Sequence, residues 1–228
     1  MRNYDNLAFQ RRRCYSSVSK LPKDRRDQVL AALKSAEKWH DGQLRIYLKR
    51  TPYIIHIYGV LRILIDELKV RDPKVLAAAA LHDTIEDCGV KKGFLEKRFG
   101  KAVASLVASE SQNLFSSRSS YMSHFNKAGM GSRLIKVADR IDNLRTMLYG
   151  TRWSYDKCAQ YIIESERYIM PFARRTSVRG FRALESVSAK LKAREGIRDA
   201  YLSISKGEGS SYVDTEGTGT WTKRPVID

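Results

Sequence analysis

Cysteine is scarce in this 228-residue chain. The three present, Cys14, Cys88 and Cys158, are far apart and odd in number, which argues against a disulfide scaffold and for a reducing cytosol. No two stand at zinc-ribbon spacing, so no thiolate metal site is expected. Long apolar runs are missing as well. The longest, Val75 to Leu81, falls far short of a bilayer crossing, so no membrane protein is expected. No apolar stretch follows the basic residues of Met1-Arg2-Asn3-Tyr4-Asp5, so no secretory signal is expected. There is no strand alternation before the C-terminal segment, no internal repeat and no glycine-rich phosphate loop. Acidic residues are outnumbered: 25 Asp and Glu against 42 Lys and Arg give a formal net charge of +17. Such a balance attracts nucleic acid, anionic membrane or phosphorylated small molecules. With 43% hydrophobic residues, the chain is too apolar for disorder and long enough to bury a real core.

What is present is helical periodicity. Residues 1–22 are basic and irregular, with the run Arg11-Arg12-Arg13, and are expected to form an N-terminal arm. From Asp24, the apolar positions Val29, Leu30, Leu33 and Ala36 recur at helical spacing, ending near Asp41-Gly42. Pro52 opens a second helix with a broad apolar stripe from Ile54 to Leu68. Asp72-Pro73 starts a third, expected over Lys74 to Asp83, and its Ala77-Ala78-Ala79-Ala80 is small on every face, the mark of a buried helix. Further helices are expected near 92–99, 101–112, 132–149, 155–170 and 179–204, with a polar loop at Ser116 to Ser120. Trp39 and Trp153 are expected to pack at the core or its rim. The fold class is all-α: one domain over 23–206, followed by a flexible Gly, Ser and Thr-rich tail or lid over 207–228.

Chemistry gathers around a few histidines, of which the chain has only four. His82-Asp83 ends the buried alanine-rich helix, and Glu86-Asp87 follow one turn later. Carboxylates at the edge of a core are costly unless they are paired or bind a metal. His56 lies among apolar residues in the second helix, and Asp139 lies mid-helix in Val137-Ala138-Asp139-Arg140. The ordinary structural readings are that Asp139 pairs with Arg140 or Arg145 and that His56 is a satisfied core histidine. Together, however, His56, His82, Asp83 and Asp139 supply two imidazoles and two carboxylates, a set that suits Mn, Fe, Co or Zn better than Ca.

The segments Pro52-Tyr53-Ile54-Ile55-His56, Ala80-Leu81-His82-Asp83-Thr84-Ile85-Glu86-Asp87 and Lys136-Val137-Ala138-Asp139-Arg140-Ile141-Asp142-Asn143-Leu144-Arg145-Thr146 resemble the hydrolase domain of the RelA/SpoT alarmone enzymes. That branch belongs to the HD phosphohydrolase superfamily. The resemblance runs from about Trp39 to Leu148, and His40-Asp41-Gly42-Gln43 resembles the branch's opening segment, with His40-Asp41 taken as structural. It implies a helical HD-domain bundle in which His56, His82, Asp83 and Asp139 hold the metal, usually Mn²⁺. It also implies that Glu86 and Asp87 line the water and scissile phosphate, and that Asn143 contacts substrate. The implied reaction removes the 3′-pyrophosphate from guanosine tetra- or pentaphosphate, in a small stand-alone hydrolase without a synthetase domain. The chain departs from the pattern at Ile57, where proline is usual, and at Asp142, where histidine is common. It also departs in Arg45-Ile46-Tyr47-Leu48-Lys49-Arg50-Thr51, which replaces a shorter Arg-Lys-Ser-Gly-Glu-like loop.

A divalent cation lowers the pKa of bound water from about 15.7 toward roughly 7, and Glu86 or Asp87 is placed to take its proton. Arg45, Lys49, Arg50, Lys136 and Arg140 are the candidates to neutralise the pyrophosphate. Two other classes share these features: a metal phosphohydrolase of another nucleotide (a deoxynucleotide or the ribose phosphate of NADPH), and a basic nucleic-acid-binding or regulatory protein without turnover. The Glu86-Asp87 pair favours an enzyme over the second. Nucleic acid is thus a possible but less favoured partner than an anionic nucleotide, and the oligomeric state is not legible.

Overall fold

The computed structural model describes residues 5–45, 51–150 and 153–207. Among them are thirteen α-helices: α1 Leu7–Ser19, α2 Lys23–Trp39, α3 Ile54–Arg62, α4 Pro73–Leu81, α5 Thr84–Cys88, α6 Lys92–Phe99, α7 Lys101–Glu110, α8 Arg118–His124, α9 Met130–Tyr149, α10 Tyr155–Glu164, α11 Met170–Thr176, α12 Val178–Lys192 and α13 Glu195–Ser205. The described residues contain no strand, and the only extended pairing among them is a single antiparallel bridge between Leu44 and Pro52. The all-α expectation therefore holds.

Helix α4 is the axis of the bundle. Asp72 caps it by accepting from the Lys74 amide at 2.8 Å, and Pro73 occupies its first position, where no amide is needed. Every residue from Val75 to Leu81 is buried. The alanines let α2, α3, α7 and α9 approach it closely, and these four helices carry the large side chains that fill the space around them. Helix α9, in turn, is backed by α11 and α12.

Several boundaries differ from the sequence expectation. The 1–22 segment is not irregular: Asn6 caps α1, accepting from the Phe9 amide at 2.9 Å, and α1 lies along α3 with Cys14 and Val18 in the core. Arg11 donates to Glu37 at 3.0 Å, so part of the basic run is spent tying α1 to α2 at the surface. The long second helix widens after Arg62 into a π turn, Ile63–Glu67, and a like turn, Ser165–Ile169, separates α10 from α11. The polar stretch expected as a loop starts α8 instead, because Ser117 caps it through the Ser120 amide at 3.0 Å. The last long helix is broken into α12 and α13 at Ala193–Arg194. Of the tail, residues 208–228 lie outside the described residues. Trp39 packs edge-on against Phe94 and Phe99, and Trp153 against Tyr161. No described helix is long and apolar enough to cross a membrane.

Since Ala78 is fully enclosed, Ala78→Leu is expected to cost about 1–3 kcal/mol through overpacking. Urea melts of parent and variant check this, and equal midpoints would mean that α4 is not the packed axis described.

Candidate active site

The site forms where three helices meet. α4 stops at Leu81, earlier than the expected Asp83, so His82 and Asp83 occupy the junction before α5 and their side chains diverge. His82 Nδ1 donates to the Ala79 carbonyl at 3.0 Å, which turns Nε2 the other way. His56, on the first turn of α3, donates from Nδ1 to Asp142 Oδ2 at 2.7 Å, so its Nε2 also faces inward. Asp139, midway along α9, completes the group. One atom each from His56, His82 and Asp139 lies within 4.8 Å of the others. His56 Nε2 is 3.3 Å from Asp139 Oδ1 and 3.7 Å from Asp83 Oδ2. His82 Nε2 is 2.9 Å from Asp83 Oδ2 but makes no hydrogen bond. The Tyr53 hydroxyl donates to Asp83 Oδ2 at 2.6 Å.

The charges here depend on one another. Burial opposes the His82 imidazolium, but Asp83 and then Asp139 outweigh it and push its pKa up to about 10. Burial likewise opposes the Asp83 carboxylate, yet His82 and then His56 hold it below the ordinary range. For Asp139, burial is outweighed first by Lys136 and then by His56. The proton on His82 thus helps balance the aspartates when no cation is present. Two inward imidazole nitrogens, one of them without a hydrogen bond, and carboxylate oxygens at these distances suit a divalent transition metal.

Glu86 and Asp87 stand on α5, which Gly89 ends by taking a positive φ of 68° while its amide bonds the Thr84 carbonyl. Glu86 Oε2 accepts from the Gln112 amide at 2.9 Å. Burial and the charge of Asp83 raise the Glu86 pKa. Burial, then Asp83 and Glu86, push Asp87 up to about 8. His40 braces α5 from behind: its Nδ1 is 2.7 Å from Gln43 Oε1, and Gln43 Nε2 donates to the Asp87 carbonyl at 3.1 Å. Buried and stacked on Tyr53, His40 has its pKa lowered to about 4 by burial, in keeping with a structural role.

The expected substrate cations fall into two groups. Arg45 reaches α9, donating from Nη2 to Asn143 Oδ1 at 2.7 Å and from Nη1 to Asp142 Oδ2 at 3.3 Å, while Asn143 Nδ2 donates to Asp139 Oδ1 at 2.6 Å. Lys136 is buried, donating to Asp139 Oδ2 at 2.9 Å and to the Tyr121 hydroxyl at 2.7 Å. Arg140 is buried against Glu164 at 3.2 Å and over the Tyr161 ring at 4.5 Å. The partner of Asp139 is therefore Lys136, not Arg140 or Arg145, and Arg145 pairs with Glu67 instead. Lys49 and Arg50 lie outside the described residues.

Sequence reasoning missed a strut. Arg118 Nη1 donates to Gln112 Oε1 at 2.9 Å, and the same guanidinium grips Glu164 at 2.5 and 2.7 Å. Gln112, held in this way, presents the amide that bonds Glu86. A cavity of about 300 Å³ opens beside the strut, with Arg118, Lys157, Tyr161, Glu164 and Tyr168 in its walls. A contact made by a backbone amide leaves no signal in a sequence. Tyr53 leaves one, since it stands three residues before His56 at the start of the same helix.

Glu110, at the end of α7, is buried with neither carboxyl oxygen hydrogen-bonded. Burial, only partly relieved by Lys136, raises its pKa from the ordinary 4.5 to about 8. Between those values the unfolded chain releases a proton that the folded chain keeps, so the stability this group allows at low pH is lost as pH rises toward 8. Glu110→Gln is expected to gain on the parent by at least about 1.4 kcal/mol, the equivalent of one pKa unit, between about pH 5 and pH 8. Urea melts with a chelator present measure this, and a gap that does not widen with pH would show that Glu110 ionises normally.

Comparisons with known proteins agree with this geometry. The family model described as HD domain matches residues 32–162. The guanosine-3′,5′-bis(diphosphate) 3′-pyrophosphohydrolase MESH1 of Xenopus tropicalis is 34% identical over 139 residues, 58% of this chain and 78% of that protein. The human protein of the same name is 34% identical over 140 residues, 59% of this chain and 78% of its own. A solved structure, described as a metazoan ortholog of SpoT that hydrolyzes ppGpp and plays a role in starvation responses, superposes with a TM-score of 0.66. It is 28% identical and covers 72% of this chain and 94% of its own. The inward imidazoles of α3 and of the junction after α4, the α9 aspartate and the helical frame around them accordingly place this chain in the HD-domain family, to which it belongs together with these small pyrophosphohydrolases.

Proposed function

We propose that this chain hydrolyses the 3′-pyrophosphate of guanosine tetra- or pentaphosphate, releasing pyrophosphate, with Mn²⁺ held by His56, His82, Asp83 and Asp139. The observation that carries this reading is the pair of imidazoles presenting Nε2 to Asp83 and Asp139, one turn from two further carboxyls. When bound, the cation supplies a lowered pKa for water and positive charge for a phosphoryl oxygen. To hold it, His56 and His82 would present Nε2 without a proton, so loading is expected to weaken as pH falls.

The chain's own residues do the rest. Glu86, steadied by the Gln112 amide, accepts a proton from the attacking water. The water oxygen bonds to the phosphorus nearest the ribose, and the bond from that phosphorus to the 3′ oxygen breaks. Asp87, which holds its proton up to about pH 8, delivers it to the 3′ oxygen. Arg45 and Asn143 flank the scissile group; Lys49 and Arg50, outside the described residues, are candidates for added positive charge from their sequence alone. Lys136 and Arg140 act from behind, Lys136 by fixing Asp139 and Arg140 by fixing Glu164. The working unit is residues 23–206 with α1 packed upon it, and a reducing cytosol suits its three free cysteines.

With Mn²⁺, the purified chain is expected to release pyrophosphate from guanosine tetraphosphate, and a chelator should stop the reaction. His82→Ala and Asp139→Ala should lose the metal by elemental analysis. A panel that yields phosphate from a deoxynucleotide or NADPH, and no pyrophosphate from the tetraphosphate, would move the assignment to another nucleotide.

Glu86→Gln should keep the metal and lose about 10²–10⁴-fold in kcat. A loss below about tenfold would remove Glu86 from proton transfer.

A further inference from the structure

We propose that Asp142 is a positioning residue that fixes which nitrogen of His56 faces the metal centre and ties Arg45 to the same point. The inference rests on the ligand reading above. It concerns the position where this chain carries an aspartate in place of the histidine common in the pattern it resembles.

Three observations converge on this carboxylate. First, it is 3% exposed, and Oδ2 accepts from His56 Nδ1 at 2.7 Å, on the side of the ring away from Asp139 and Asp83. A hydrogen bond at Nδ1 sets the proton there and leaves the Nε2 lone pair pointing at the cluster. Second, the same oxygen takes Arg45 Nη1 at 3.3 Å, so the carboxylate is held from two sides, by His56 and by Arg45. Third, α3 makes room for it. A Cβ at Gly59, one turn after His56, would lie 2.0 Å from Asp142 Oδ1. The absence of a side chain at residue 59 is what lets a charged group stand against α3 beneath the imidazole. His82 reaches the same orientation through the Ala79 carbonyl, a neutral acceptor. The charged acceptor falls on His56 alone, and charge on the far side makes an imidazole a better donor to a cation.

The structure thus assigns Asp142 two linked effects, on metal affinity through His56 and on substrate affinity through Arg45. The test measures Mn²⁺ affinity by chelator competition, the ¹⁵N signals of the His56 ring, and KM and kcat separately. In Asp142→Ala, Mn²⁺ affinity is expected to fall about 10–100-fold, the His56 ring signals to shift, and KM to rise, with kcat at saturating Mn²⁺ falling less than the affinity. Gly59→Ala, which displaces the carboxylate without removing it, should lower Mn²⁺ affinity in the same direction and add little on top of Asp142→Ala. A folded Asp142→Ala with parental Mn²⁺ affinity and unshifted His56 signals would overturn the proposal, as would fully additive losses in the double variant. If Asp142→Ala does not fold, Asp142→Leu, which fills the space and offers Nδ1 no acceptor, carries the same comparison. His82→Ala separates the two readings: parental affinity there means that the ligand set is wrong, whereas parental affinity in Asp142→Ala alone means that only the positioning role is.

Discussion

Aspartates drawn into an apolar helical bundle must be neutralised, and the site is built around that constraint. Asp139 and Asp142 are buried, and Asp83 keeps only 17% of its side chain exposed. Left alone, each would cost several kcal/mol or give up its charge. The fold instead surrounds them with two imidazoles, Lys136, Arg45, Asn143 and the Tyr53 hydroxyl. The neighbouring carboxyls that lack a buried cation of their own, Asp87 and Glu110, hold their protons up to about pH 8.

This neutralisation changes how the basic composition is understood. A charge of +17 looks like a surface made for polyanions. Yet Lys136, Arg140 and Arg45 are counterions inside the protein, and Arg11 is paired across α1 and α2. The cations nearest the chemistry therefore act on the protein's own carboxylates first, setting the positions of Asp139, Glu164 and Asp142. In such a site, orientation comes from buried pairs whose geometry is over-determined, which is what catalysis by a preorganised centre requires.

The second consequence is reach. From Glu86 the hydrogen bonds run to the Gln112 backbone amide, from the Gln112 side-chain oxygen to Arg118, then to Glu164, and from Glu164 to Arg140 beside Asp139. The path leaves the site at α5 and returns to it at α9, passing the wall of the cavity between α8 and α10. Glu86 and the helix that carries Asp139 are thereby braced against the same residue, Glu164, whose own pKa is drawn down to about 2 by the two arginines against the pull of burial.

Much of the frame was written in the order of residues. The run Ala77 to Ala80 could only be enclosed, Asp72-Pro73 could only begin a helix, and His82-Asp83 followed by Glu86-Asp87 marked the edge of the core where polar chemistry had to lie. Helical periodicity and capping act over a few residues, so sequence alone carries them. It did not carry the π turn after Arg62 or the packing of α1, since each depends on what another helix presents; the Ser117 cap that starts α8 is local, but it stands in a polar stretch without an apolar stripe to mark it. The same holds within the site. His56, Asp83 and Asp139 were legible as metal-binding types, but sequence could not say that Lys136 rather than Arg140 would meet Asp139. Nor could it show that Asp142 would seat itself under His56 through the gap at Gly59. Those outcomes are distances between α3, α4 and α9, and only the packing of the three helices decides them.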